Sequence, residues 1–237
     1  MANFVANTDF GLTSDRWYTI TEAFTAQGEQ ELADQLVVYF NGPDENKSFM
    51  IDDVSITPLE QDCSQLILNG DAEAGETARF WRLFLESESG TIELVNIDAG
   101  NQALKVTGRE FANDGLYQNV DPRCLTLGTK WKVEAQMKLV SKKTGDYVAC
   151  TPSERGPIDG CPTVRVITNK NGSRLQDGPS FMTNTDMIWV PNQFNKYEAE
   201  FEVTSNLAWG EDYIIGFRNF NEDWDLIIDD ISVTPLA

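Results

Sequence analysis

Ile228-Asp229-Asp230-Ile231-Ser232-Val233-Thr234-Pro235-Leu236 closes the chain, and its reading decides the fold. The same words stand earlier as Ile51-Asp52-Asp53-Val54-Ser55-Ile56-Thr57-Pro58-Leu59, an offset of 229 − 52 = 177 residues. Carried backwards, that offset sets Asn7-Thr8-Asp9 on Asn184-Thr185-Asp186, Phe24 on Phe201 and Phe40 on Phe217, with no gap between Phe4 and Leu59. An internal repeat at long period is the signature of an array of like units.

The copies are unequal, because the long stretch before the later one has no counterpart upstream of the earlier one. Residues 1–59 therefore read as the C-terminal half of an upstream module. Residues 60–63 read as a short linker, and 64–237 as one complete module. Met1-Ala2 reads as a start added where an array was entered. The competing reading is a small independent N-terminal domain that drifted into similarity.

The chain has 237 residues, 41% of them hydrophobic, which is enough for a packed core, and no window approaches a membrane span. No basic, apolar leader opens it. With 38 acidic against 18 basic residues the net charge is −20, a field that repels phosphate backbones and anionic lipid. Nucleic acid is a poor partner for such a surface; calcium and neutral glycans are compatible with it. Most of the acids need do no more than keep a secreted protein soluble.

The four cysteines show no CxxC spacing, and there is no histidine anywhere, so no zinc pattern exists. Cys150 and Cys161 bracket a Pro/Gly-rich loop that a bridge would staple. Cys63 and Cys124, beside the Asp121-Pro122-Arg123 turn, then form the other expected pair. Disulfides imply an oxidising, extracellular setting. Asn46-Lys47-Ser48 and Asn171-Gly172-Ser173 are glycosylation sequons that fit it.

The local signal is β throughout. Trp131, Val133, Ala135, Met137 and Leu139 alternate with polar residues, and Tyr197, Ala199, Phe201 and Val203 alternate with Glu198, Glu200 and Glu202. Both read as strands with one face in a core and one in water. Val164 and Val166 alternate with Arg165 and Ile167 before the Asn169-Lys170-Asn171-Gly172 turn. The best helical candidate, 29–36, is short. Strands with regular turn signals predict an all-β antiparallel sandwich of jelly-roll type. In the half-module, strands are expected at 18–26, 35–41 and 48–57. Their apolar faces would lack covering strands, so residues 1–59 are expected to pack on a neighbouring repeat or a second chain.

Within the complete module the motifs become specific. Leu66-Ile67-Leu68-Asn69-Gly70-Asp71-Ala72-Glu73 opens it, and Gly100-Asn101-Gln102-Ala103-Leu104-Lys105-Val106-Thr107 follows. Then come Gly115-Leu116-Tyr117-Gln118-Asn119-Val120, Leu127-Gly128-Thr129-Lys130-Trp131-Lys132-Val133-Glu134-Ala135 and the closing repeat. In order and spacing these resemble the carbohydrate-binding modules of the group containing families 4, 9, 16 and 22, over about residues 64–236 and over 4–59 as a second half.

The resemblance implies a β-jelly roll with a structural calcium held by Asp71, Glu73, a main-chain oxygen near Asn101, and Asp229. The chemistry agrees, since calcium takes six to eight hard oxygens. Alternation along the closing strand puts Ile227, Asp229, Ile231 and Val233 on one face, where a carboxylate is costly unless paired or metal-bound. A role in capping a turn is the alternative for Asp229. Asp52 lacks the matching opening segment, so a metal there is not expected.

Three functions compete. A glycan-binding module needs aromatic faces and hydrogen-bonding groups, for which Trp81, Tyr117, Arg165, Trp189, Arg218 and Trp224 are the candidates; Trp81 lies where the resembling modules often hold a binding tryptophan. Each of these aromatics has a core role as its alternative. The Glu-rich face of 197–203 and the Gly216-Phe217-Arg218 run depart from the family pattern and would alter the groove. The second function is a structural brick of a matrix, cell wall or surface filament, with the short linker at Glu60-Gln61-Asp62 as its joint. An enzyme is not expected. The Asp52/Asp53 and Asp229/Asp230 pairs point to opposite faces of a strand, and the chain carries no nucleophile elbow, P-loop or dinucleotide motif.

Overall fold

A computed structural model of the chain describes residues 17, 38, 40, 46, 48–57, 62–73, 78, 80–84, 89–98, 100–151, 160–170, 173–175, 180–181, 188–208, 210 and 212–236. The sequon at Asn171, the helical candidate at 29–36 and most of the three strands expected before residue 60 lie outside them. Among the described residues no helix is long and apolar enough to cross a membrane.

From residue 82 onward the chain is almost entirely strand. It runs β1 (Arg82–Phe84), β2 (Thr91–Asp98), β3 (Asn101–Thr107), β4 (Gly115–Val120), β5 (Lys130–Ser141), β6 (Tyr147–Val148), β7 (Thr163–Lys170), β8 (Ser173–Leu175), β9 (Ser180–Phe181), β10 (Asn195–Glu202), β11 (Asp212–Arg218) and β12 (Trp224–Pro235). A 3-10 turn at Pro122–Cys124 and one helical turn at Ser205–Ala208, here α1, interrupt it.

Two six-stranded antiparallel sheets result. One has the order β1-β4-β11-β7-β8 with β9 beside β7; the other has the order β10-β5-β12-β3-β2 with β6 beside β5. From β3 through β4, β5, β7, β10, β11 and β12 the chain moves between sheets at nearly every step. That crossover builds the expected sandwich, because each strand carries one apolar face and the only place to bury it is against the facing sheet.

The alternations seen in the sequence sit as expected. Trp131, Val133, Ala135, Met137 and Leu139 all point into the core from β5, and Tyr197 and Phe201 do so from β10. Facing them are Leu116 of β4, Val164 and Val166 of β7, and Ile215 and Phe217 of β11. Each such side chain contributes roughly 1.5–3 kcal/mol relative to exposure. On the wet face of β5 and β10, Lys132 and Lys196 pair with Glu134 and Glu198. The Glu-rich row is therefore an ionic lattice on a solvated face.

Both disulfides form as paired from the sequence, Cys63–Cys124 and Cys150–Cys161. The first ties the entry segment to the 3-10 turn. Beyond it, residues 65–70 run beside the end of β12: Leu66 N–H donates to Val233, Ile231 N–H donates to Gly70, and Val233 N–H donates to the Gln65 side chain. The approach at Gly70 is so close that a Cβ would lie 1.9 Å from the Ile231 carbonyl oxygen, so no other residue fits.

One expectation about β12 needs correction. Its register against β5 shifts between Asp229 and Ser232, and Asp230 sits at φ 49°. This is a β-bulge, and it exchanges the faces. Leu226 and Ile228 point inward before it; Ile231 and Val233 point inward after it. Ile227 and Asp229 belong to the outer face, so Asp229 does not share a side with Ile231 and Val233.

Candidate functional site

Three of the four expected metal residues, Glu73, Asn101 and Asp229, meet around the bulge of β12. Asp229 stands on the outer face at the bulge, opposite Gln136, yet is 3% exposed. Its Oδ1 accepts the N–H of Asp230 at 2.8 Å, and its Oδ2 accepts the side-chain amide of Asn101 at 3.4 Å. Glu73 lies close enough to repel it, and Glu73 Oε1 in turn accepts the N–H of Gln102 at 2.6 Å. Burial, reinforced by the neighbouring charges of Asp230 and Glu73, raises the Asp229 carboxyl to about 6.

Asp71 is exposed, and its Oδ1 accepts the N–H of Glu73 at 3.3 Å. Glu73, Asn101 and Asp229 are thus brought together, while no contact carries the Asp71 carboxylate to Asp229. Among the described residues no three acidic or cysteine side chains are grouped to hold an ion by themselves. The donor set nonetheless fits a hard cation. A buried carboxylate surrounded by like charge and one long amide contact has, among the described residues, no cationic partner of the kind its burial calls for. Amide or main-chain oxygens would have to complete the shell around Glu73 and Asp229.

The aromatic candidates divide. Trp81 is buried, its indole N–H donating to the Asn69 carbonyl at 3.1 Å and its ring 6.3 Å from Phe217. It packs the opening segment onto the core and offers no face to a ligand. Trp189 is likewise buried in the core. Trp224, half-buried, packs on the core from the start of β12 in the other sheet. The sequence reading gave all three a binding role; burial leaves Trp81 and Trp189 no face for a ligand, while half-buried Trp224 lies on the other sheet from Tyr117.

Tyr117, Arg165 and Arg218 do come together, on the outer face of the β4 sheet. Leu116, Gln118 and Val120 take the inward positions of β4, so Tyr117 points out. Register sets Arg82 of β1 opposite Tyr117, Tyr117 opposite Gly216 of β11, and Gly216 opposite Arg165 of β7. These four form one row across four strands, roughly 14 Å at the usual strand spacing.

Beside this row, Phe84 stands edge-on to Tyr117, with centroids 6.0 Å apart at 83°. The Arg218 guanidinium lies over the Phe84 ring at 4.0 Å. Gly216 forms the floor between Tyr117 and Arg165. A Cβ there would crowd the Tyr117 Cβ at 3.3 Å and the Leu116 carbonyl oxygen at 3.2 Å. A side chain at 216 would therefore crowd Leu116 and Tyr117 of β4 and fill the middle of the row.

Phe84 and Arg82 were missed in the sequence. Their signal is the alternation Arg82-Leu83-Phe84, only three residues long. Chemically, the row offers aromatic edges and faces, planar guanidinium forks and a glycine floor. Such a surface suits stacking with hydrogen-bonding of hydroxyls, and it offers no general acid–base pair.

No protein-family model matches the sequence, and the comparison with curated proteins found no match. Solved structures of similar shape include the CBM22-1–GH10 modules of the Clostridium thermocellum N-terminal endo-1,4-beta-D-xylanase 10B, complexed with xylohexaose. The TM-score is 0.49 at 14% identity, over 74% of this chain and 28% of that one. The C-terminal family 22 carbohydrate-binding module of a Clostridium thermocellum xylanase gives 0.48 at 13% identity, over 74% of this chain and 96% of that one. A Stig cyclase from Fischerella sp. TAU, in complex with an indole compound, gives 0.46 at 14% identity, over 74% of this chain and 98% of that one. The chain spans well under a third of the xylanase structure it matches.

Proposed function

We propose that this protein is a non-catalytic, extracellular glycan-binding module, and that its binding surface is the outer face of the β4 sheet. The observation that supports it is the row Arg82, Tyr117, Gly216 and Arg165, flanked by Phe84 and Arg218. A pyranose presents an apolar C–H face and a rim of hydroxyls. Tyr117 and Phe84 serve the first, and the Arg82 and Arg165 guanidinium groups the second, with buried Arg218 holding Phe84 in place.

Calcium is the cofactor this reading carries, bound by Glu73, Asn101 and Asp229 with main-chain oxygens. When bound it supplies a crosslink between the opening segment, the start of β3 and the bulge of β12; no sugar chemistry passes through it. Asn46, exposed in a turn, is the glycosylation position among the described residues. Residues 1–59 serve as the contact to neighbouring repeats.

The test is affinity electrophoresis of the full chain in gels containing soluble xylans and β-glucans, with and without calcium. Retardation by at least one polysaccharide is expected, and Tyr117→Ala and Arg165→Ala each abolish it without changing the melting temperature. Retardation unaffected by both changes would remove this face from consideration.

The brick reading has one observation in its favour. Phe49, Met50, Ile51, Val54 and Ile56 are all exposed. That favours association, whatever the sugar face does.

A further inference from the structure

On the outer face of the β5 sheet the strand lysines are committed to carboxylates, with one exception. Lys105 pairs with Asp225, Lys130 with Glu202, and Lys132 and Lys196 with Glu134 and Glu198. Lys138 pairs with no carboxylate among the described residues. Its ammonium lies instead 4.2 Å from the Phe194 ring centroid and 5.5 Å from that of Tyr147.

Strand order builds this cradle. β12 runs along one edge of β5, so β10 and β6 share the other: β10 begins with Asn195 opposite Met137, and β6 closes with Val148 opposite Leu139. Lys138 stands between the two strands, and alternation with buried Met137 and Leu139 turns it outward. Phe194 comes from the turn before β10 and Tyr147 from the start of β6, opposite Val140. The apolar surface continues across the sheet, because half-buried Val140 and Ile227 lie on the same outer side. Tyr147 is 41% exposed. The carboxylate nearest in register, Asp225 opposite Val140, is buried and holds Lys105 at 3.3 Å and the Thr107 hydroxyl at 2.9 Å.

A ring face attracts an ammonium without neutralising it. The cradle therefore presents a held positive charge beside an exposed aromatic ring, on a chain whose net charge is −20. We propose that it is a second glycan-binding site, on the opposite sheet from Tyr117, and that it takes an acidic sugar. A uronic acid residue matches both parts: its C–H face stacks on Tyr147, and its carboxylate pairs with Lys138. The field of the whole chain repels a continuous polyanion, so the fitting ligand is a glycan with isolated uronate residues. From the proposed function this inference takes only the ligand class; the two sites lie on opposite faces and separate by mutation.

The test follows backbone amide NMR shifts of the full chain on adding an oligosaccharide that bears one glucuronic acid residue. Its methyl ester, which keeps the ring and removes the charge, is the control. The acid should shift the amides of 138, 147 and 194 saturably, and the ester should bind roughly tenfold more weakly. Lys138→Met keeps the aliphatic stem and should weaken the acid by a similar factor at an unchanged melting temperature. Lys138→Arg should retain binding, and Tyr147→Ala should abolish it. Tyr117→Ala should leave it intact, even where it abolishes retardation by neutral polysaccharide; loss of the acid in Tyr117→Ala places the sugar on the first face and overturns the second site. Equal binding of acid and ester overturns the acidic-sugar assignment. Binding that survives Lys138→Met, as calcium-bridged adhesion to the acidic surface would, overturns the site, and so does the absence of shifts at 138, 147 and 194. A lowered melting temperature in Lys138→Met, with acid and ester bound alike by the parent, reduces the cradle to a clamp between β6 and β10.

Discussion

Asn101 donates its side-chain amide to Asp229 Oδ2 at 3.4 Å, across 128 residues of chain. The contact joins the first residue of β3 to the bulge of β12, and it is a weak partner for a buried carboxylate. Burial with Asp230 and Glu73 nearby holds this group at about 6, against about 3.9 in an unfolded chain.

The folded protein therefore binds this proton more tightly than the unfolded one. The group's contribution to stability is full below about pH 4 and declines as pH rises through about 6. Above that, the metal-free protein carries a deficit on the order of 2 kcal/mol from Asp229. Asp121, Glu134, Glu198 and Asp223, held below their ordinary values chiefly by side-chain hydrogen bonds to Arg123, Lys196 and Lys143, act in the opposite direction. A difference measurement removes them. In EDTA, urea melts of parent and Asp229→Asn should show the variant gaining on the parent between pH 4 and 7. A constant spacing across that range would mean the carboxylate is not strained.

Calcium should reverse the trend. Its ligands must be deprotonated, so its stabilisation grows as pH rises. At a hundredfold excess over its dissociation constant it adds about 2.7 kcal/mol. The melting temperature of the parent should rise with calcium at pH 7 and hardly move at pH 4.5, and Asp229→Asn should erase the effect. No calcium-dependent shift at pH 7 would remove the metal.

The two aromatic classes separate experimentally. Trp81→Ala opens the core beneath the entry segment and should cost about 3–5 kcal/mol in chemical denaturation. Tyr117→Ala, on the outer face, should cost under about 1 kcal/mol. A stable Trp81→Ala protein would contradict the packing described here.

Arg109 is buried beneath Phe220, its guanidinium 3.5 Å from the ring centroid. It donates to the carbonyls of Phe111, Ala112, Asp114, Asn221 and Trp224. Burial lowers it to about 10, so it stays charged at neutral pH. Lysine has neither the fork nor the plane to repeat these bonds. Arg109→Lys should therefore lose about 3 kcal/mol and loosen both loops, which faster amide exchange at 111–114 and 220–224 would register.

The two disulfides differ in reach. Cys63–Cys124 spans 61 residues and Cys150–Cys161 spans 11. By loop entropy the first contributes about 4 kcal/mol and the second about 3. Replacing Cys63 and Cys124 with serine should lower the melting temperature more than replacing Cys150 and Cys161. The opposite order would show that the entry segment is held without its bridge.

Much of the fold was legible because local alternation is a local property. The face of β5 could be read from Trp131 to Leu139 without knowing any partner, and that of β10 from Tyr197 to Phe201. The disulfide pairing followed from loop composition, and the role of Asp229 as a buried acid followed from its apolar neighbours. The stated reason was wrong, though: strict alternation set Asp229 beside Ile231, while the bulge at Asp230 places it on the opposite face. A single positive φ leaves no mark on the hydrophobic pattern.

The binding row was less legible. Tyr117 and Arg165 belong to strands 48 positions apart that never touch each other; β11 lies between them. Tryptophan, the residue whose chemistry first suggests sugar, turned out at Trp81 and Trp189 to be buried in the core. Phe84 escaped notice because a three-residue strand carries too little periodicity to read.

By itself the sequence determined that the chain is all-β, which residues face a core, and where covalent bridges close. Those features depend on the period of the chain and on turn chemistry, which act between near neighbours. Only the tertiary structure decided which strands lie side by side, which aromatics stay outside, and how Asn101, Glu73 and Asp229 converge. Those depend on register between distant strands, and register is set when two sheets bury their faces against one another.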